Sequence, residues 1–80
     1  MEYYINKYGN YRDEVSCRLK EYFEDLQGFM EKPNPEDLTK KIGEVETYLE
    51  SEEFTASASF EQKHDGEFLL KEFRARMRKH

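Results

Sequence analysis

The sequence predicts an α+β fold, a two-helix antiparallel hairpin packed on a C-terminal antiparallel β-hairpin, with the N-terminus available as a third strand. Three observations lead there. Apolar residues between positions 15 and 49 recur at helical spacing, the segment Phe54-Thr55-Ala56-Ser57-Ala58-Ser59-Phe60 alternates apolar and polar residues, and Asp65-Gly66 supplies a hairpin turn.

The first residues hold four tyrosines, Tyr3, Tyr4, Tyr8 and Tyr11, with Gly9-Asn10 as a break. Tyr3 and Ile5 alternate with Tyr4 and Asn6, which suits a short strand. Asn10 reads as a helix N-cap, and Asp13 falls near the positive end of the helix dipole. Val15, Leu19, Tyr22, Phe23, Leu26, Phe29 and Met30 then form one stripe, giving a helix over about 11–30. Pro33-Asn34-Pro35 ends it. Asn34 as N-cap, Pro35 in the first helical position and the acids Glu36 and Asp37 start a second helix, over about 35–51. Its stripe is Leu38, Ile42, Val45 and Leu49. A loop this short makes the two helices an antiparallel pair.

The β-hairpin is expected over about 54–77. With Asp65-Gly66 as the turn, Phe54 faces Met77, Ala56 faces Ala75, Ala58 faces Phe73 and Gln62 faces Leu69, with Lys71 opposite Phe60 as the misfit. The other face pairs Thr55 with Arg76, Ser57 with Arg74, Ser59 with Glu72 and Glu61 with Leu70. A helical reading of 67–80 competes, since Leu69, Leu70, Phe73 and Met77 also suit a helix. The turn and the matched register favour the strand. The whole chain, 1–80, reads as one domain.

Composition narrows the function. The chain has 80 residues, of which sixteen are Leu, Ile, Val or Phe. Its charged fraction is 39% and its mean hydropathy is -1.10. Such a thin core in a short chain points to self-association as reinforcement, so a homodimer is expected. The single Cys17 cannot form an internal disulfide, and no apolar run has membrane-spanning length, so a cytoplasmic protein with no membrane partner is expected. Net charge is -5, unevenly spread. Residues 69–80 carry five Lys/Arg and one acid, whereas the remainder is strongly acidic.

No constellation points to catalysis, so the chain reads as a non-enzyme. His64 falls in the expected turn and His80 ends the chain, both without the company that acid–base chemistry needs. Cys17 lies off the core stripe with no histidine near it in sequence, and packing against the N-terminal segment or a partner subunit suits it better than nucleophilic work. The acid pairs Asp13-Glu14 and Glu52-Glu53 match no metal-ligand pattern, and the four glycines form no phosphate loop, so no cofactor or metal is expected.

Two surface features remain. An acidic array runs across both helices, and Glu21, Glu24, Glu46, Glu50 and Glu53, with Tyr48 as an aromatic anchor, are the candidate protein-binding residues. Thr55, Ser57 and Ser59 beside Arg74, Arg76 and Arg78, with Lys79 continuing the line, would form a nucleic-acid-binding face on the outer side of the hairpin. The acidic body opposes the second reading. In size, acidity and aromatic content the chain resembles the small inhibitors that phages and other mobile elements encode, anti-CRISPR and anti-defence proteins among them. That resemblance implies a protein-binding inhibitor or adaptor, with a nucleic-acid-binding accessory protein as the alternative.

Overall fold

The computed structural model describes residues 1–78, and Lys79 and His80 lie outside them. The fold is all-α, which overturns the α+β expectation: the described residues form five helices and no strand. These are α1 (Glu2–Gly9), α2 (Glu14–Glu31), α3 (Pro35–Glu50), α4 (Glu52–Ser57) and α5 (Phe60–Arg78).

The N-terminal tyrosines form a helix because Tyr4 and Tyr8, four residues apart, share one face that meets Phe23. Tyr4 stacks on Phe23 with ring centroids 4.7 Å apart, and Tyr8 lies parallel to the same ring at 6.3 Å. Four alternating residues are too few to outweigh that face. α2 begins later than expected. Asp13 is its cap, accepting from the Ser16 backbone N–H at 3.0 Å, while Asn10 closes α1.

α3 starts as its sequence dictates. The Asn34 side chain accepts from the backbone N–H groups of Glu36 and Asp37, both at 3.2 Å, and Pro35 occupies the first turn. The helix stops at Glu50, where Ser51 serves both ends of the junction. It is the C-cap of α3, and its Oγ accepts from the Phe54 N–H at 3.3 Å to start α4.

The expected β-hairpin over 54–77 is α4 and α5 instead. Ser59 and Gln62 form a reciprocal capping box: the Ser59 N–H donates to Gln62 Oε1 at 2.8 Å, and the Gln62 N–H donates to Ser59 Oγ at 3.1 Å. From there Gln62, Leu69 and Phe73 line the inner side of α5, and Asp65-Gly66 is buried in mid-helix rather than at a turn. Two physical reasons decide it. The alternating segment is built from Ala and Ser, which are small enough for a helix and bury little on a sheet face. A two-stranded hairpin also leaves edge groups unpaired, whereas a helix satisfies its own backbone.

The helices run up and down around α2. Tyr4 beside Phe23 and Gly9 beside Lys20 make α1 antiparallel to α2, and the short loop at Lys32 to Asn34 makes α3 antiparallel to it. α5 is parallel to α2, since Gln62 reaches Ser16 at one end and Phe73 meets Phe29 edge-on at 6.1 Å at the other. Leu19, Phe23, Leu26, Leu38, Val45, Leu69 and Phe73 are fully buried between these helices.

Candidate interaction surface

A buried polar cluster joins α1 to α5. Tyr8 Oη donates to Asp65 Oδ2, which also accepts from Lys7 Nζ at 2.8 Å, and Lys7 reaches Glu61 Oε1 at 2.5 Å. Asp65 is 4% exposed, so a carboxylate otherwise costly to bury has both a phenol and an ammonium beside it. Burial pushes the Tyr8 phenol pKa up, and its hydrogen bond to Asp65 adds to that. For Lys7, burial pulls down, but the hydrogen bonds to Asp65 and Glu61 outweigh it and the pKa rises. A second group lies alongside. Gln62 Nε2 donates to Ser16 Oγ at 2.9 Å and to Asp13 Oδ2 at 3.1 Å. The Asp13 carboxyl sits below the usual range, chiefly through its hydrogen bond from the Ser16 backbone, with Gln62 contributing.

These groups lock helices together. Among the described residues, no buried side-chain nitrogen or oxygen lacks a partner, and no group of three or more His, Cys, Asp or Glu is placed to hold a metal ion. His64 is exposed on α5, and Cys17 is exposed in a groove shared with Tyr8, Gly9 and Lys20.

Above the polar cluster, where the end of α1 meets the starts of α2 and α5, is an open cleft of about 360 Å³ lined by Tyr11, Asp13, Ser57, Ser59 and Glu61 among others. One large ring lines it, and a second stands exposed on the adjoining first turn of α5. Tyr11 lines it and is 56% exposed, and Phe60, between the lining residues Ser59 and Glu61, is 89% exposed. Sequence reasoning placed Phe60 on the inner face of a strand, whereas the structure leaves it exposed. The capping box Ser59-Phe60-Glu61-Gln62 was the available signal, because it puts Phe60 in the first turn of a helix.

The candidate protein-binding residues are dispersed. Glu24 pairs with Lys20 at 3.5 Å, and Glu21 lines the groove beside Cys17. Glu46 pairs with Arg74 of α5 at 3.2 Å, Glu50 ends α3, and Glu53 is in the first turn of α4. Tyr48, expected as an exposed anchor, is a core residue at 8% exposure. Its ring meets Phe54 at 5.4 Å and Tyr22 at 5.8 Å, and Arg18 lies over it at 5.3 Å.

The alternative nucleic-acid face is not assembled, because the strand pairing that would join its two halves is absent. Thr55 and Ser57 are on α4 and Ser59 caps the start of α5, whereas Arg74, Arg76 and Arg78 are near its end. At the α-helical rise, Ser59 and Arg74 are roughly 22 Å apart along α5. Arg74 is engaged by Glu46 and Arg76 by Glu72 at 3.5 Å.

No helix among the described residues is long and apolar enough to cross a membrane. No protein-family model, curated protein or solved structure matches the chain.

Proposed function

We propose that the chain is a non-enzymatic, cytoplasmic protein-binding domain of the inhibitor or adaptor kind, and that it binds through the end of the bundle bearing Phe60 and Tyr11. The observation that carries this reading is Phe60. It occupies the first turn of a helix whose start is already secured by Ser59 and Gln62, and it contributes almost nothing to the core. Burying such a ring in a partner is worth about 1.5–3 kcal/mol. Exposed aromatic side chains are typical interface anchors. The polar cluster beneath the cleft supports the reading, since it holds α1, α2 and α5 in fixed relation and so presents the two rings on a rigid base.

The nucleic-acid alternative drew its support from a strand face uniting Ser57 and Ser59 with Arg74 and Arg76, and the helical fold does not supply that support.

Phe60→Ser tests the proposal. The variant should keep the helical circular dichroism and unfolding midpoint of the parent, while partner capture from lysate falls by about tenfold or more. Capture that is unchanged by Phe60→Ser and by Tyr11→Ala would remove this end of the bundle from the function.

A further inference from the structure

Tyr11 lies outside every helix, yet it keeps the apolar register of the helices on either side of it. Tyr4, Tyr8, Tyr11, Val15, Leu19, Tyr22 and Leu26 follow one another in steps of four, three, four, four, three and four. On one uninterrupted helix they would lie within roughly 80° of arc. In the fold Tyr8, Val15, Leu19, Tyr22 and Leu26 are buried, Tyr4 is half-buried, and Tyr11 alone of the seven is exposed. The stripe therefore runs straight through the break between α1 and α2, where a loop has no use for it.

The break itself is slight. Asn10 is already in the right-handed helical region, and no residue from 10 to 13 is buried, a glycine or a proline. No positive φ is found among the described residues. Asp13 is extended, with φ -69° and ψ 153°, as the cap of α2. α1 is held by its side chains, Tyr4 against Phe23 and, at 5.1 Å, Phe68, and Lys7 and Tyr8 at Asp65. A chain whose α1 swings away uncovers the Phe23 ring and strips the buried Asp65 carboxylate of both partners. The vacated seat then calls for a helix of the same chemistry, and a second copy of the chain carries one.

We infer that two copies exchange α1, each chain running as one continuous helix over residues 2–31 and laying its α1 on α2 and α5 of the other copy. This goes beyond the proposed function, and Phe60 takes no part in it. Exchange keeps every contact that α1 makes within one chain, which makes it a low-cost route to a dimer. The fused helix gives the first backbone N–H groups of α2 intrahelical partners, in place of the Asp13 cap. Tyr4 on Phe23 and Gly9 beside Lys20 fix an antiparallel register, which sets the crossing of the two long helices at about residue 14. Tyr11 thus meets the long helix of the other copy, and its place in the stripe has a use. The short linker favours the closed monomer at low concentration, so the dimer grows with concentration.

Sedimentation of the full chain from micromolar to millimolar concentration tests this, with two hinge variants. The Arg12 N–H makes no backbone hydrogen bond in the closed chain but lies inside the fused helix. Arg12→Pro should therefore keep the monomer's helical circular dichroism and lower the dimer association constant about a hundredfold or more. Asp13→Ala, which removes the cap at the break, should raise it about fivefold or more. A mixing experiment shows exchange directly. Lys7→Glu sets a further carboxylate against Asp65, and Asp65→Lys sets a second ammonium against Lys7, so each variant alone loses its seat for α1. Mixed, the altered α1 of the first meets the altered groove of the second, and the two unaltered halves meet each other. A one-to-one dimer with a higher unfolding midpoint than either variant alone is the expected result. The hinge variants decide the matter should Asp65→Lys fail to fold by itself. A parent that stays monomeric up to millimolar concentration, or a dimer that Arg12→Pro leaves intact, would overturn the inference. Dependence of capture from lysate on Phe60 reads the proposed function separately.

Discussion

Gly66 is buried where α5 passes α3 and α4, and a Cβ built there would lie 2.9 Å from Leu49 Cδ2 and 3.2 Å from Phe54 Cζ. Two effects oppose each other when it is replaced. Alanine gains about 0.5–1 kcal/mol of helix propensity, and the far end of the Leu49 side chain can yield. A branched side chain has no such room, because Phe54 is itself buried in the core. We expect Gly66→Ala to stay within about 1 kcal/mol of the parent and Gly66→Val to lose about 1–3 kcal/mol, read from urea unfolding. Equal tolerance of both would mean that α5 does not pass so closely. Asp65, next in the chain, is the other residue whose meaning depends on its surroundings. Read locally, Asp-Gly is a turn. In the fold it is a buried carboxylate held by Tyr8 and Lys7, with a glycine beside it that lets a neighbouring helix approach.

α5 separates a helical last third from a hairpin one, and proline distinguishes them. Glu67 is exposed in mid-helix, so Glu67→Pro removes a backbone donor and clashes with the preceding turn without disturbing any buried side chain of its own. The expected loss is about 3 kcal/mol or more. In a domain of this size that is enough to abolish the cooperative thermal transition seen by circular dichroism. In a hairpin with its turn at Asp65-Gly66 the same change would remove the single turn hydrogen bond donated by the Glu67 N–H and leave the rest of the ladder in place. The capping residues explain why the helix wins over its alternation pattern. Ser51 starts α4, and Ser59 with Gln62 starts α5, so one helix start just precedes, and another lies within, the segment whose Ala and Ser spacing mimics a strand.

For the bundle as a whole, the buried phenols set the response to pH. Burial raises the pKa of Tyr8, Tyr22 and Tyr48, and Lys7 is raised through its carboxylate partners despite burial. A group whose folded pKa lies above its unfolded one stabilises fully below the unfolded value and loses that contribution as pH climbs through the folded one. For the tyrosines the unfolded value is 10.0 and for Lys7 it is 10.5. Stability should therefore hold below pH 10.0 and decline above it, followed by denaturant midpoints across the alkaline range. Tyr8→Phe should lose about 1–2 kcal/mol near neutral pH, by leaving Asp65 with Lys7 alone, and should show a shallower alkaline decline. An alkaline decline as steep in Tyr8→Phe as in the parent would mean that Tyr8 does not link α1 to α5. On the acid side Asp13 acts in the opposite sense. Its lowered pKa gives stability above 3.8 that is lost as pH falls further.

What could be read from the residues alone was whatever short-range chemistry decides. The α2 stripe from Val15 to Leu26 and the Asn34-Pro35 start of α3 are local patterns, and the fold contains both. The absence of a catalytic pattern likewise shaped the functional expectation. The N-terminal tyrosines and the last third were not legible in the same way, because their local patterns are compatible with two periods. Tyr4 becomes helical by stacking on Phe23, nineteen residues away, and Asp65 is buried because Tyr8 and Lys7 arrive from the other end of the chain. Phe60 shows the same limit at the candidate site. Its alternation with Ala58 and Phe54 suggested a core residue, and only the packing of α5 through Leu69 and Phe73 turned it outward. Tyr48 moved the opposite way, from expected anchor to core, when Phe54 and Tyr22 closed over it. A side chain's period is local, but the face it belongs to is chosen by contacts distant in sequence.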